Sequence, residues 1–93
     1  MESYEVLLSG VAAKFLGKLD GGTATRIKKC LCCLAENPFQ GRPGADIKQL
    51  SGSSNPVFYR LRIGDYRAIY VVDDRKVKVT EIMTRGRGYA WLE

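Results

Sequence analysis

The sequence predicts an α+β fold in which a mostly antiparallel sheet carries a helical hairpin on one face, ordered strand, helix, helix, strand, strand, strand. Three observations predict it. Apolar residues recur at helical spacing on both sides of Asp20-Gly21-Gly22. Residues 57–83 are rich in strand formers and are interrupted only by Gly64-Asp65 and Asp73-Asp74-Arg75, spacings that suit successive antiparallel hairpins. A helical hairpin must bury its apolar stripe, and the sheet is the surface that can receive it.

Each element has its own signal. SYEVLL, residues 3–8, is short and apolar-leaning and reads as the first strand. A helix is expected from Gly10 to Leu19, capped by Ser9, with Val11, Phe15 and Leu19 on one face. After the Asp-Gly-Gly break, a second helix runs from Thr23 to Glu36 with the stripe Ala24, Ile27, Leu31 and Leu34, and Asn37-Pro38 stops it because a residue before proline is pushed out of helical geometry. Residues 38–56 read as loop, with Pro38, Pro43, Pro56 and an SGSS stretch, and only ADIKQL within them suits a short strand or a turn of helix. Val57–Ile63, Tyr66–Val72 and Lys76–Met83 are the remaining strands. The tail RGRGYAWLE is too short for an element of its own.

Residues 1–93 suffice for one domain and not for two. The net charge of +5 points to an anionic partner, nucleic acid or acidic protein. Six of the eight arginines fall within residues 57–93, and the guanidinium fork matches phosphate and carboxylate. No apolar run is long enough to span a membrane and the N-terminus lacks a signal-peptide pattern, so a cytoplasmic protein is expected. Cys30, Cys32 and Cys33 form no disulfide framework, and without histidine or a fourth cysteine they make no zinc site; they read as small, partly buried side chains. No metal and no cofactor is expected.

Strand alternation sets a question about VFYRLRIGDYRAIYVV, residues 57–72. Phe58, Arg60 and Arg62 share one side of their strand, and Arg67, Ile69 and Val71 share one side of the next. Charges on central strands are costly unless paired or solvated. Two explanations stand: Arg67 pairs with a carboxylate such as Glu81 on the neighbouring strand, or the arginines form an anion site on the sheet face left open by the helices.

LSG…FYRLRIGDYRAIYVV, the strand after it and the Arg-x-x-x-Tyr spacing of Arg85 and Tyr89 resemble the RelE/ParE superfamily of toxins from type II toxin–antitoxin systems. The run RLR-GDYR-IY carries the specificity, and the likeness is nearest to the RelE-type messenger RNA interferases. The resemblance implies a small sheet with two helices on one side, cleavage of messenger RNA in the ribosomal A site, and a cognate antitoxin that wraps the toxin. An acidic, partly disordered antitoxin and the small ribosomal subunit with its A-site message are thus the expected partners.

By position, the resemblance matches Arg60, Arg67 and Arg85 to basic positions of the family's site; with Tyr89 as acid or base these are the expected catalytic residues, and Lys48, Arg62, Lys78, Arg87 and Trp91 are expected to contact RNA. Phe58 stands where RelE proper has a further lysine, and Thr84-Arg85 where many relatives have His-Arg. The C-terminal aromatic is Tyr89 by spacing or Trp91 by an ungapped match, and only Tyr89 can move a proton. The ParE branch, which targets DNA gyrase, is the alternative, as is a degenerate relative that only binds antitoxin or nucleic acid.

The chemistry can be set out independently. Attack of a 2′-hydroxyl on the adjacent phosphate needs a proton acceptor, stabilisation of the phosphorane and help for the leaving 5′-oxygen. With no histidine, an imidazole acid–base pair is excluded. Arginine stays protonated, suiting it to charge stabilisation and clamping rather than to base catalysis. Lys48 and Lys78 are candidates for a lysine tuned downward by cationic neighbours, and spacing does not choose between them.

Overall fold

The computed structural model describes residues 3–41, 43, 45–50 and 57–84. The chain runs β1 (Glu5–Leu8), α1 (Gly10–Gly17), α2 (Gly21–Cys32) with a 3-10 turn at Cys33–Ala35, β2 (Asp46–Gln49), β3 (Phe58–Ile63), β4 (Tyr66–Asp73) and β5 (Lys76–Thr84). The strands form one sheet in the order β1-β5-β4-β3-β2, parallel at β1/β5 and antiparallel elsewhere. ADIKQL is therefore a strand, β2, which adds a fifth member at the sheet edge.

Both helices begin as their caps dictate. The Ser9 hydroxyl accepts the Ala12 N–H at 3.0 Å and donates to the Thr80 carbonyl at 2.7 Å, so one side chain starts α1 and ties it to β5. Asp20 caps α2 by accepting the Thr23 N–H at 3.0 Å and the Thr23 hydroxyl at 2.6 Å, bonds that hold its carboxyl below the usual carboxylate range. Gly21 and Gly22, expected to lie in the break, instead form the first turn of α2, where the Asp20 cap offsets their poor helix propensity. The α2 stripe is as expected, with Ile27, Leu31 and Leu34 buried. The α1 stripe is rotated: Ala12 and Leu16 are buried, Phe15 and Leu19 partly so, and Val11 is 64% exposed. Small Ala12 permits the close approach to β5 that the Ser9–Thr80 bond requires.

The helices cover the face presented by Leu61 and Ile63 of β3, Ala68 and Tyr70 of β4, and Val77 and Val79 of β5. Tyr70 is fully buried, stacks on Tyr59 across the strand pair at 5.6 Å, and donates its hydroxyl to the Pro38 carbonyl at 2.6 Å. Burying a side chain of this kind is worth roughly 1.5–3 kcal/mol.

A β-bulge decides the faces of β5. Tyr70 pairs with Val79, but Ile69 pairs with Glu81, leaving Thr80 as an extra residue. Its hydroxyl donates to the Ile69 carbonyl at 3.2 Å. Beyond the bulge the alternation reverses, so Ile82 enters the helix-side core while Glu81 and Met83 join the open face.

Candidate functional site

The open face is a grid whose rows follow from strand register. One row reads Lys48, Arg60, Ile69, Glu81, and the next reads Asp46, Arg62, Arg67, Met83, crossing β2, β3, β4 and β5 in turn. Paired residues on neighbouring strands project to the same side. The sheet thus brings Lys48, Arg60, Arg62 and Arg67 together on the face away from the helices. Between them lies an apolar floor of Leu50, Ile69 and Met83, with Phe58 against it.

The ion pairing is uneven. Asp46 Oδ1 accepts from Arg60 Nη2 at 3.1 Å, and the Arg60 side chain is only 12% exposed. Arg62 and Arg67 face each other directly, and neither has an ion pair or hydrogen bond from its side chain among the described residues. Among the described residues, Arg60 Nε and Arg67 Nη1 are buried with no hydrogen-bond partner. The pairing of Arg67 with Glu81, one of the two explanations for its position, is absent: the bulge places Glu81 across from Ile69 and puts Met83 across from Arg67. Buried donors without acceptors, beside opposed like charges on an apolar floor, form a surface that an anion would complete.

Lys78 shares this face but lies at its far end, across from Val71, where it donates to Asp73 at 3.2 Å in a pair exposed on both sides. Arg85, Arg87, Tyr89 and Trp91 lie outside the described residues. Asp46 went unrecognised in the sequence, although it stands two residues before Lys48 and shares its face once ADIKQL is a strand. An open groove of about 410 Å³ lies elsewhere, along the outer edge of β5 beside α1, lined by Val11, Lys14, Phe15, Lys18, Glu81 and Met83, among others. It contains none of the clustered arginines. Cys30, Cys32 and Cys33 form no disulfide among the described residues, with Cys32 exposed and Cys30 and Cys33 half-buried, and the described residues hold no His/Cys/Asp/Glu cluster able to bind a metal. No helix among the described residues is long and apolar enough to cross a membrane.

A five-stranded, mostly antiparallel sheet with two helices on one face matches the architecture of RelE-like toxins. Residues 6–89 match the family described as the ParE toxin of the type II toxin–antitoxin system, parDE. The chain belongs to that family and is a toxin of a type II toxin–antitoxin system.

Among solved structures it is similar to an archaeal RelE–RelB complex from Pyrococcus horikoshii OT3, with 31% identity, a TM-score of 0.76, and coverage of 91% of this chain and 98% of that one. It is also similar to the RelB–RelE antitoxin–toxin complex from Methanococcus jannaschii at 24% identity and a TM-score of 0.68, covering 94% of this chain and 99% of that one. The YoeB dimer from Staphylococcus aureus matches at 22% identity and a TM-score of 0.64, covering 91% and 98% of the two chains. The latter two likenesses speak to the fold alone. A search of curated proteins returns no match.

Proposed function

We propose that this toxin is a ribosome-dependent endoribonuclease that cuts messenger RNA in the A site, through attack of a 2′-hydroxyl on the adjacent phosphate. The observation that carries the reading is the facing, uncompensated pair Arg62 and Arg67 beside Arg60 on the uncovered sheet face. Arg60 and Arg67 clamp the scissile phosphate and stabilise the phosphorane, Arg62 and Lys48 attract the strand, and Arg85 and Tyr89 complete the site, Tyr89 serving as acid or base. Guanidiniums orient and stabilise charge but exchange protons poorly, so the ribosome supplies the alignment that a free RNA lacks. The likeness to toxins solved with RelB supports a cognate antitoxin as partner, an acidic chain matching the basic face.

The ParE description of the family favours a second reading, a non-nuclease toxin acting on gyrase through the same basic face. One assay separates the two. Purified toxin is added to ribosomes stalled with a defined codon in the A site, and new 5′ ends are mapped by primer extension against ribosome-free RNA. The nuclease reading expects a cut within the A-site codon that Arg67→Ala weakens by about 10²–10³-fold, the usual cost of one transition-state donor. Intact message with a folded wild-type protein discards it and turns the test to gyrase supercoiling.

A further inference from the structure

Asp46 sits directly across from Arg62, yet its carboxylate reaches to Arg60, the diagonal neighbour. Facing opposite charges are the ordinary cross-strand pair, so this choice divides two arginines of one strand. Arg60 is held against the sheet with its side chain 12% exposed, while Asp46 remains 58% exposed. Arg62 is exposed and has no ion pair among the described residues.

The contact also fixes a direction. Asp46 takes a hydrogen of Nη2 and leaves Nε buried without an acceptor. A guanidinium held at one terminal nitrogen is restrained about its last torsions, which narrows the directions its Nε–H can take. Arg67 lies two residues along β4 from Ile69, the residue opposite Arg60, and offers a second buried donor, Nη1. Diagonal neighbours of this kind are about 7–8 Å apart at the backbone, within the joint reach of two long side chains.

We infer that Asp46 is the positioning residue of the site: it locks Arg60 as a rigid donor beside Arg67 and leaves Arg62 free as mobile charge. The catalytic part of this inference rests on the nuclease reading; the positioning part does not. Arginine is the residue for such a role because its planar fork can be gripped at one nitrogen while presenting another. An Asp46 that merely held β2 to β3 would affect stability without changing how Arg60 presents Nε–H.

The test uses Asp46→Asn, which keeps the shape, and Asp46→Glu, which keeps the charge. The first readout needs no activity: the ¹⁵N-detected Nε–H signal of Arg60, assigned by its loss in Arg60→Lys. Asp46→Asn should speed the exchange of that proton with water by about tenfold, because losing the charge-assisted bond at Nη2 lets the side chain swing its buried Nε–H toward solvent, and Asp46→Glu should largely restore it. The second readout is A-site cleavage. Asp46→Asn should lower the rate at saturating toxin by about tenfold with less than about a twofold change in the half-saturating concentration, since orientation and not binding is lost. An unchanged Arg60 signal in Asp46→Asn overturns the inference. So does faster cleavage, which would make Asp46 a competitor for the phosphate. If the wild-type protein cuts no message, the nuclease reading falls, and the Arg60 signal alone decides the role of Asp46.

Discussion

Replacing Arg67 by methionine should make the protein more stable and the toxin inactive. Arg67 faces Arg62 directly, and facing side chains on neighbouring strands start about 5 Å apart at Cβ, splaying to about 6 Å between guanidiniums. Two unit charges at about 6 Å repel by about 0.7 kcal/mol in water and about 3 kcal/mol at an effective dielectric constant near 20. Arg62 is exposed, which places this pair near the lower figure. Arg67 Nη1 adds a buried donor without a partner, a cost of roughly 1–3 kcal/mol. Methionine retains much of the apolar stem, across the sheet from Met83, and removes both penalties. After allowance for lost packing and solvent screening, a net gain of about 1–2 kcal/mol is expected, or roughly 4–8 °C in Tm per kcal/mol. Urea unfolding at low and high salt measures it, and the wild type should gain more from salt than the variant because its repulsion is screened. A variant less stable than wild type by more than about 0.5 kcal/mol, beyond the usual scatter of surface substitutions, would refute the reasoning and make Arg67 a structural residue.

Two further outcomes are expected. Gly64→Ala should destabilise by about 1–2 kcal/mol, because its φ of +57° is strained for alanine, while the nearby Arg26 guanidinium is the tip of a flexible side chain that can swing aside; denaturant unfolding measures the loss, and adding Arg26→Ala should recover little of it. Asp20 should titrate below an ordinary aspartate, principally because the Thr23 hydroxyl and then the Thr23 N–H bond its charged form. Since its folded pKa is depressed, its contribution to stability is present above the unfolded value near about 3.9 and is lost as pH falls through the lower folded value. Carboxyl NMR in wild type and loss of that acid slope in Asp20→Ala would check it, and a midpoint at or above the unfolded value would contradict it.

The face carrying the arginines could be read from the sequence because alternation is local: once residues 57–72 are two strands, Arg60, Arg62 and Arg67 must share sides with Phe58 and Ile69. The partner of Arg67 was harder to read. A hairpin counted from Asp73 and Lys76 without irregularity would send Glu81 into the helix layer, and the bulge at Thr80 is what exposes it and sets Met83 opposite Arg67. The spacing of Val77, Val79 and Ile82, two residues and then three, is the trace that the bulge leaves in the sequence. Asp46 was obscured by its setting. ADIKQL is a strand only because β3 is there to pair with it, and a segment whose structure comes from its neighbour carries little local propensity. The turn of α1 away from Val11 has a similar cause, since contact with β5 and not periodicity selects Ala12 and Leu16.

The join between β1 and β5 also bears on when this protein can exist as a folded object. The strands that carry the arginines are joined by a two-residue turn and can pair as soon as both are made. β1 and α1 must wait, because β1 pairs with β5 from Glu5 opposite Lys76 to Leu8 opposite Val79, and the Ser9–Thr80 bond that ties α1 to β5 links residues separated by 71 positions. Until Thr80 has left the exit tunnel, β1 has no strand to lie against and α1 has no β5 to cover. Closing so long a loop is entropically the most demanding step of the fold. Before then β2, β3 and β4 can pair with one another, but β1 and α1 have nothing to dock on. The seam thus makes the helix-covered core the last part of this fold to close, after the strands that carry the arginines have paired.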